Sequence, residues 1–142
     1  MPDFGHVGLT VGDLERSLDF YRRVVGMEEI YRGPFESEAF GTLTRNPGAR
    51  IDVAMLRAGH FTLQLVAYAA GGGEVLELEH RNVGNPHLSF WVPDVRARFR
   101  ELASDPSVNV ISELVEIAPG ITAFYLADPD GVPVELAEQP PA

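Results

Sequence analysis

The stretch His6-Val7-Gly8-Leu9-Thr10-Val11-Gly12-Asp13-Leu14 returns 81 positions later as His87-Leu88-Ser89-Phe90-Trp91-Val92-Pro93-Asp94-Val95. In the first copy His6, Gly8 and Thr10 alternate with Val7, Leu9 and Val11, and the second copy alternates in the same way. A period of two predicts a strand with one face in a core. Gly12-Asp13 and Pro93-Asp94 end the two strands, and Asp13 is suited to cap a helix that follows. Leu14, Leu18, Tyr21 and Val25 then fall at helical spacing and Gly26 stops them, while Val95, Phe99 and Leu102 continue the second copy. The far ends also match, at a shift of 71: Phe61-Thr62-Leu63-Gln64-Leu65-Val66 falls on Val132-Pro133-Val134-Glu135-Leu136-Ala137. The chain is a duplication.

Between these landmarks Met27 to Tyr31 reads as a short strand. Arg32 to Ala49, rich in Gly and Pro, reads as a loop carrying a strand near Ala39–Leu43. Arg50–Leu56 and His60–Tyr68 read as strands around the turn Arg57-Ala58-Gly59. Each half is therefore strand, helix and three strands. The expected organisation is one α+β domain over 1–142, made of module 4–69 and module 86–139, with the Gly71-Gly72-Gly73 stretch inside a linker at 70–85. A helix covers one face of each sheet, and the open faces of two copies could enclose a cleft lined by the polar members of each strand.

Composition removes whole classes of partner. Eleven basic against 21 acidic residues give a net charge of −10, so neither nucleic acid nor an anionic membrane is an expected partner. Every basic residue is Arg, which excludes Schiff-base chemistry and the lysine of a phosphate-binding loop. With no Cys there are no disulfides, thiolate metal sites or cysteine nucleophiles. No apolar run approaches the ~18 residues of a membrane span, and MPDFGHVGLT lacks the pattern of a signal peptide, so the expected location is the cytoplasm.

The duplication sets four polar residues in equivalent places: His6 and His87 open the halves, and Gln64 and Glu135 close them. Their neighbours are mostly apolar, which turns the four away from the helix-covered core. Two imidazoles, one carboxylate and one amide oxygen suit a divalent first-row ion (Ni, Co, Zn, Fe or Mn), whereas two oxygen donors are too few for calcium. The competing reading is a cleft that keeps its polar lining without a metal.

The segments HVGLTVGDLERSLDFYRRVVGM, HLSFWVPDV, FTLQL and FYLADPDGVPVEL resemble the vicinal oxygen chelate superfamily, which holds glyoxalase I, methylmalonyl-CoA epimerase, extradiol dioxygenases and the bleomycin- and fosfomycin-resistance proteins. The resemblance runs from Phe4 to Ala137. It implies a glyoxalase-like fold, two βαβββ modules forming a curled mixed-sheet cup, and metal ligands at His6, Gln64, His87 and Glu135. It also implies a homodimer and a small-molecule substrate with chelating oxygens. The implied activity is that of an isomerase, lyase or epimerase working through a metal-stabilised enediolate or enolate, with Glu135 as the catalytic base.

Two alternatives accompany that reading. Tyr125 through Glu135 matches the Y-x-x-D-P-x-G-x-x-x-E ending of extradiol ring-cleaving dioxygenases, but Val110 to Thr122 contains none of the histidine that oxygen chemistry would use there. An antibiotic-sequestering binding protein is the other. The second carboxylate base of the epimerases aligns with Gly48, with Asp52 four residues on as its substitute, and no set of glutathione-binding arginines can be placed.

Of the remaining polar residues, Asp128-Pro129-Asp130-Gly131 reads as a tight turn rather than a calcium loop, and His60 and His80 as solvated surface histidines. Arg45, Arg50 and Arg57 either clamp a substrate anion or neutralise acidic neighbours. Trp91, with Phe35 or Phe40, either walls a substrate pocket or packs in the core.

Overall fold

The computed structural model describes residues 1–139, so the last three positions of the expected 1–142 domain lie outside the described residues. The chain divides into two compact units at Val75/Leu76. Each is built of one mixed sheet with a helix on it.

In the first unit, β1 (Val7–Thr10) runs parallel to β4 (Phe61–Ala70), and the sheet order is β1-β4-β3-β2 with β2 (Glu28–Phe35) and β3 (Arg50–Ala58) antiparallel. The Asp13 carboxylate accepts the Arg16 amide N–H at 3.1 Å and starts α1 (Leu14–Asp19). The helix continues as a π-helical segment, Phe20–Val25, that ends on Gly26 at φ 97°. This wider turn alters the expected face: Leu18, Phe20, Tyr21 and Val24 are buried, while Val25 is only half-buried. α1 packs on β3 and β4, where Leu56, Leu63 and Leu65 are fully buried. Each such leucine contributes roughly 1.5–3 kcal/mol by leaving water.

Two boundaries differ from the sequence expectation. β2 is longer than Met27–Tyr31, and the hairpin from β3 to β4 is a two-residue turn at Gly59-His60, with Gly59 at φ 57°. Ala39–Leu43 is not a strand but belongs to a helix, α2 (Glu38–Leu43). Ser37 accepts the Phe40 N–H at 3.0 Å and so caps that helix. Gly41 lets it fold onto the following loop, since a Cβ there would sit 3.1 Å from the Asn46 carbonyl oxygen and the Pro47 Cα.

The second unit repeats the plan. β5 (Leu88–Val92) runs parallel to β9 (Pro133–Glu138), and β9 pairs antiparallel with β8 (Ile121–Ala127). The outer strand is broken into β6 (Asn109–Val110) and β7 (Val115–Ala118), both antiparallel to β8. Asp94 caps α3 (Val95–Ala103) by accepting the Ala97 N–H at 2.9 Å. Val95 and Leu102 are buried, and Phe99 meets Phe124 edge-on with centroids 5.1 Å apart. The turn at Asp128 is the tight one expected. Its buried carboxylate accepts the N–H groups of Asp130 at 2.9 Å and Val132 at 2.8 Å, and Gly131 takes φ 95°. That oxygen holds the backbone of the turn.

Candidate active site

The register of each sheet decides which side chains share the face away from the helix. In the first unit Gln64 lies opposite Gly8 on one side and Met55 on the other. Leu63 and Leu65 beside it are buried, so Gln64 points to the open face. Its side-chain carbonyl oxygen lies 3.4 Å from where a Cβ on Gly8 would be, so the glycine leaves that oxygen room over β1. His6 precedes β1 by one residue and is exposed, and strand alternation sets its position on the Gly8 and Thr10 side.

The open face is concave. A cavity of about 540 Å³ lies over it, lined by β1, β2, β3, β4 and α2. Gln64 and Thr10 lie in its wall, with Tyr31 and Tyr68 as further polar groups. Phe35 and Phe40, which meet edge-on at 5.6 Å, both stand in its wall.

Asp52 does not belong here. It stands opposite Ala67, on the sheet face of Ala54 and Leu56, in a crevice with Asp13, Glu15 and Arg32. It therefore does not stand in as the second base. Arg57 pairs with Glu28 at 3.2 Å, which is the neutralising role. Neither Arg45 nor Arg50 lines the cavity.

In the second unit Glu135 lies opposite Ser89 and Tyr125, the positions equivalent to Gly8 and Met55. Here both neighbours are donors. The Ser89 hydroxyl donates to Glu135 Oε1 at 2.7 Å, and the Tyr125 phenol donates to the same carboxylate. Burial first, and then the Glu135 charge and its hydrogen bond, push the Tyr125 phenol above its ordinary value, so it stays protonated. The His87 ring lies 6.2 Å from the Tyr125 ring, at 73°, on this same side of the sheet. Trp91, 58% exposed, follows Ser89 by two on β5 and so sits on the open side rather than in the core.

Sequence reasoning missed His80. It is exposed, as expected of a linker histidine, yet its ring meets Tyr125 edge-on at 4.4 Å and lies 5.9 Å from the His87 ring. The second unit thus gathers two imidazoles, a phenol, a hydroxyl and a carboxylate on one sheet face. Among the described residues no three His, Asp or Glu side chains come together as a metal-binding group, and of the four expected ligands each unit carries one imidazole and one oxygen donor, a half-set. That donor chemistry, nitrogen and oxygen without sulfur, fits a first-row divalent ion.

Residues 3–136 match the model of the Glyoxalase/Bleomycin resistance protein/Dioxygenase superfamily. A 2-epi-5-epi-valiolone epimerase from Actinomyces sp. is 33% identical over 95% of this chain and 78% of its own. A lactoylglutathione lyase from Pseudomonas aeruginosa is 31% identical over 95% and 81%. Among solved structures, a glyoxalase family protein from Bacillus cereus superposes with a TM-score of 0.89 at 19% identity, covering 99% of this chain and 96% of that one. A fosfomycin resistance protein from Listeria monocytogenes has the same fold, with a TM-score of 0.66 at 17% identity over 100% and 94% of the two chains. No helix among the described residues is long and apolar enough to cross a membrane.

Proposed function

Since this chain belongs to the glyoxalase/bleomycin resistance protein/dioxygenase superfamily, we propose that it is a metal-dependent isomerase, lyase or epimerase of a small carbonyl compound with two chelating oxygens. His6, Gln64, His87 and Glu135 hold the ion, and the two modules act as one glyoxalase-like domain in a cytoplasmic homodimer. The identity to an epimerase and to lactoylglutathione lyases supports the isomerase or lyase class.

The observation that carries the reading is the Glu135 carboxylate held between two donors beside an imidazole. A divalent ion bound by this set supplies Lewis-acid stabilisation of charge that develops on substrate oxygens. The protein's own work is proton transfer. Glu135 takes the proton from the carbon next to the carbonyl and delivers it from the same side to the neighbouring carbon in an isomerisation, whereas an epimerisation takes its returning proton from a second donor on the opposite face. Ser89 and Tyr125 fix the carboxylate's orientation. Gln64 has no basicity and serves as a ligand only.

The test is hydrogen exchange. Metal-loaded protein in deuterated water exchanges the carbon-bound proton of an α-hydroxyketone, followed by NMR, and Glu135→Gln loses on the order of 10²–10⁴-fold of the rate. Equal exchange by that variant contradicts the role of Glu135.

One observation favours the dioxygenase as a second reading. His80 stands beside Tyr125, where the ending motif alone offers no histidine. Oxygen uptake by the iron-loaded protein with a catechol, lost in His80→Ala, distinguishes it from proton chemistry.

A further inference from the structure

The cavity over the first module's sheet is built for an uncharged ligand. Fourteen residues line it, and none carries a charge. Its volume of about 540 Å³ lies in the range of small-molecule sites. Ile51, Val53, Met55 and Val66 make an apolar floor along β3 and β4, and Phe35 with Phe40 forms an aromatic wall. The polar groups are two phenols, two threonine hydroxyls and the Gln64 amide. These match the hydroxyl and carbonyl groups of a neutral molecule. None offers a counter-charge to a carboxylate or phosphate.

Resting on the isomerase reading above, we propose that this site selects an uncharged α-hydroxy carbonyl compound with an apolar or aryl body, and discriminates against substrates whose non-reacting arm bears carboxylates. Gln64 joins the cavity to the reacting end, since the same side chain is in the wall and in the proposed ligand set. The remainder of the ligand then lies on the aliphatic floor. An anionic arm placed there loses its hydration and finds no cationic side chain, on a chain whose net charge of −10 already repels it. A glutathione adduct carries such an arm. The selection thus separates this chain's substrate from that named for its lactoylglutathione lyase relatives.

Calorimetric titration with 2-hydroxyacetophenone and with its 4-carboxylate tests this, because the pair shares the vicinal oxygens and differs by one charge. The neutral ketol binds and the carboxylate binds at least tenfold more weakly, in both metal-loaded and metal-stripped protein. Met55→Arg, on the floor, and Leu43→Arg, on the exposed side of α2, each introduce a cation and narrow or reverse that preference. Leu43 is 83% exposed, so its variant keeps the fold even where Met55→Arg does not. Equal or tighter binding of the carboxylate by the unaltered protein overturns the proposal, as does failure of the neutral ketol to bind at all. A preference kept in stripped protein supports the cavity's assignment even where proton exchange fails, so the two readings fall separately.

Discussion

The two modules share a register but not a chemistry at its centre. In the first, Gln64 sits between Gly8 and Met55, neither of which has a side-chain proton to give. In the second, Glu135 sits between Ser89 and Tyr125, and both donate to it. The difference follows from charge. A half-buried neutral amide tolerates apolar neighbours, whereas a carboxylate on the same face requires donors to offset the water it loses. Duplication kept the backbone and the core, and the site diverged through side chains one strand away.

The largest expected effect tests what the modules share. Leu63→Ala and Leu136→Ala remove fully buried leucines from equivalent strands, and each costs about 2–5 kcal/mol by denaturant unfolding. A cost below about 1 kcal/mol in one module breaks the equivalence of the cores.

Next come the donors that distinguish the modules. Ser89→Ala and Tyr125→Phe each remove a hydrogen bond to a charged acceptor and weaken metal affinity roughly 10–100-fold, whereas Met55→Leu in the first module leaves it within about twofold. Competition with a chromophoric chelator reads this. Equal effects in both modules contradict the contrast.

A smaller effect concerns pH. The folded Tyr125 phenol titrates above its unfolded value, so its contribution to stability is fully present below the unfolded pKa near 10 and is lost as pH rises through the higher folded one. Phenolate absorbance of metal-stripped protein follows that titration. Glu135→Gln moves it down towards the ordinary value without reaching it, because burial is the larger cause.

The smallest is Gly8→Ser, which gives the first module the second module's residue. The new Cβ lies 3.4 Å from Gln64 Oε1, an ordinary contact, so unfolding shifts by less than about 1 kcal/mol. A larger loss shows that the first module has closed around its glycine.

Much of this was legible in the residues because the information was local and repeated. Alternation around His6 and His87 gave the strands, Asp13 gave a helix start, and the 71-residue shift paired Gln64 with Glu135. Where the reading failed, parity or spacing was carried through irregular backbone. Asp52 was counted from Gly48, but Gly48 lies in the loop before β3 at φ 83°, so strand alternation does not extend to it. The Ala39–Leu43 strand ignored Ser37 as a cap and Gly41 as the position that lets a helix approach Asn46. Tyr125 could have been found by folding the hairpin about Asp128–Val132, which sets it opposite Glu135. His80 could not, since a linker has no period from which to predict contact.

The central claim is that the paired half-sets hold one kind of ion. Metal content by plasma mass spectrometry, on untagged protein beside His6→Ala, Gln64→Ala, His87→Ala and Glu135→Ala, tests it most directly. The account predicts a stoichiometric divalent ion in the unaltered protein and its loss on substitution in either module, with circular dichroism unchanged. An unaltered protein that takes up no metal after soaking, or variants of one module that keep it in full, would contradict the account.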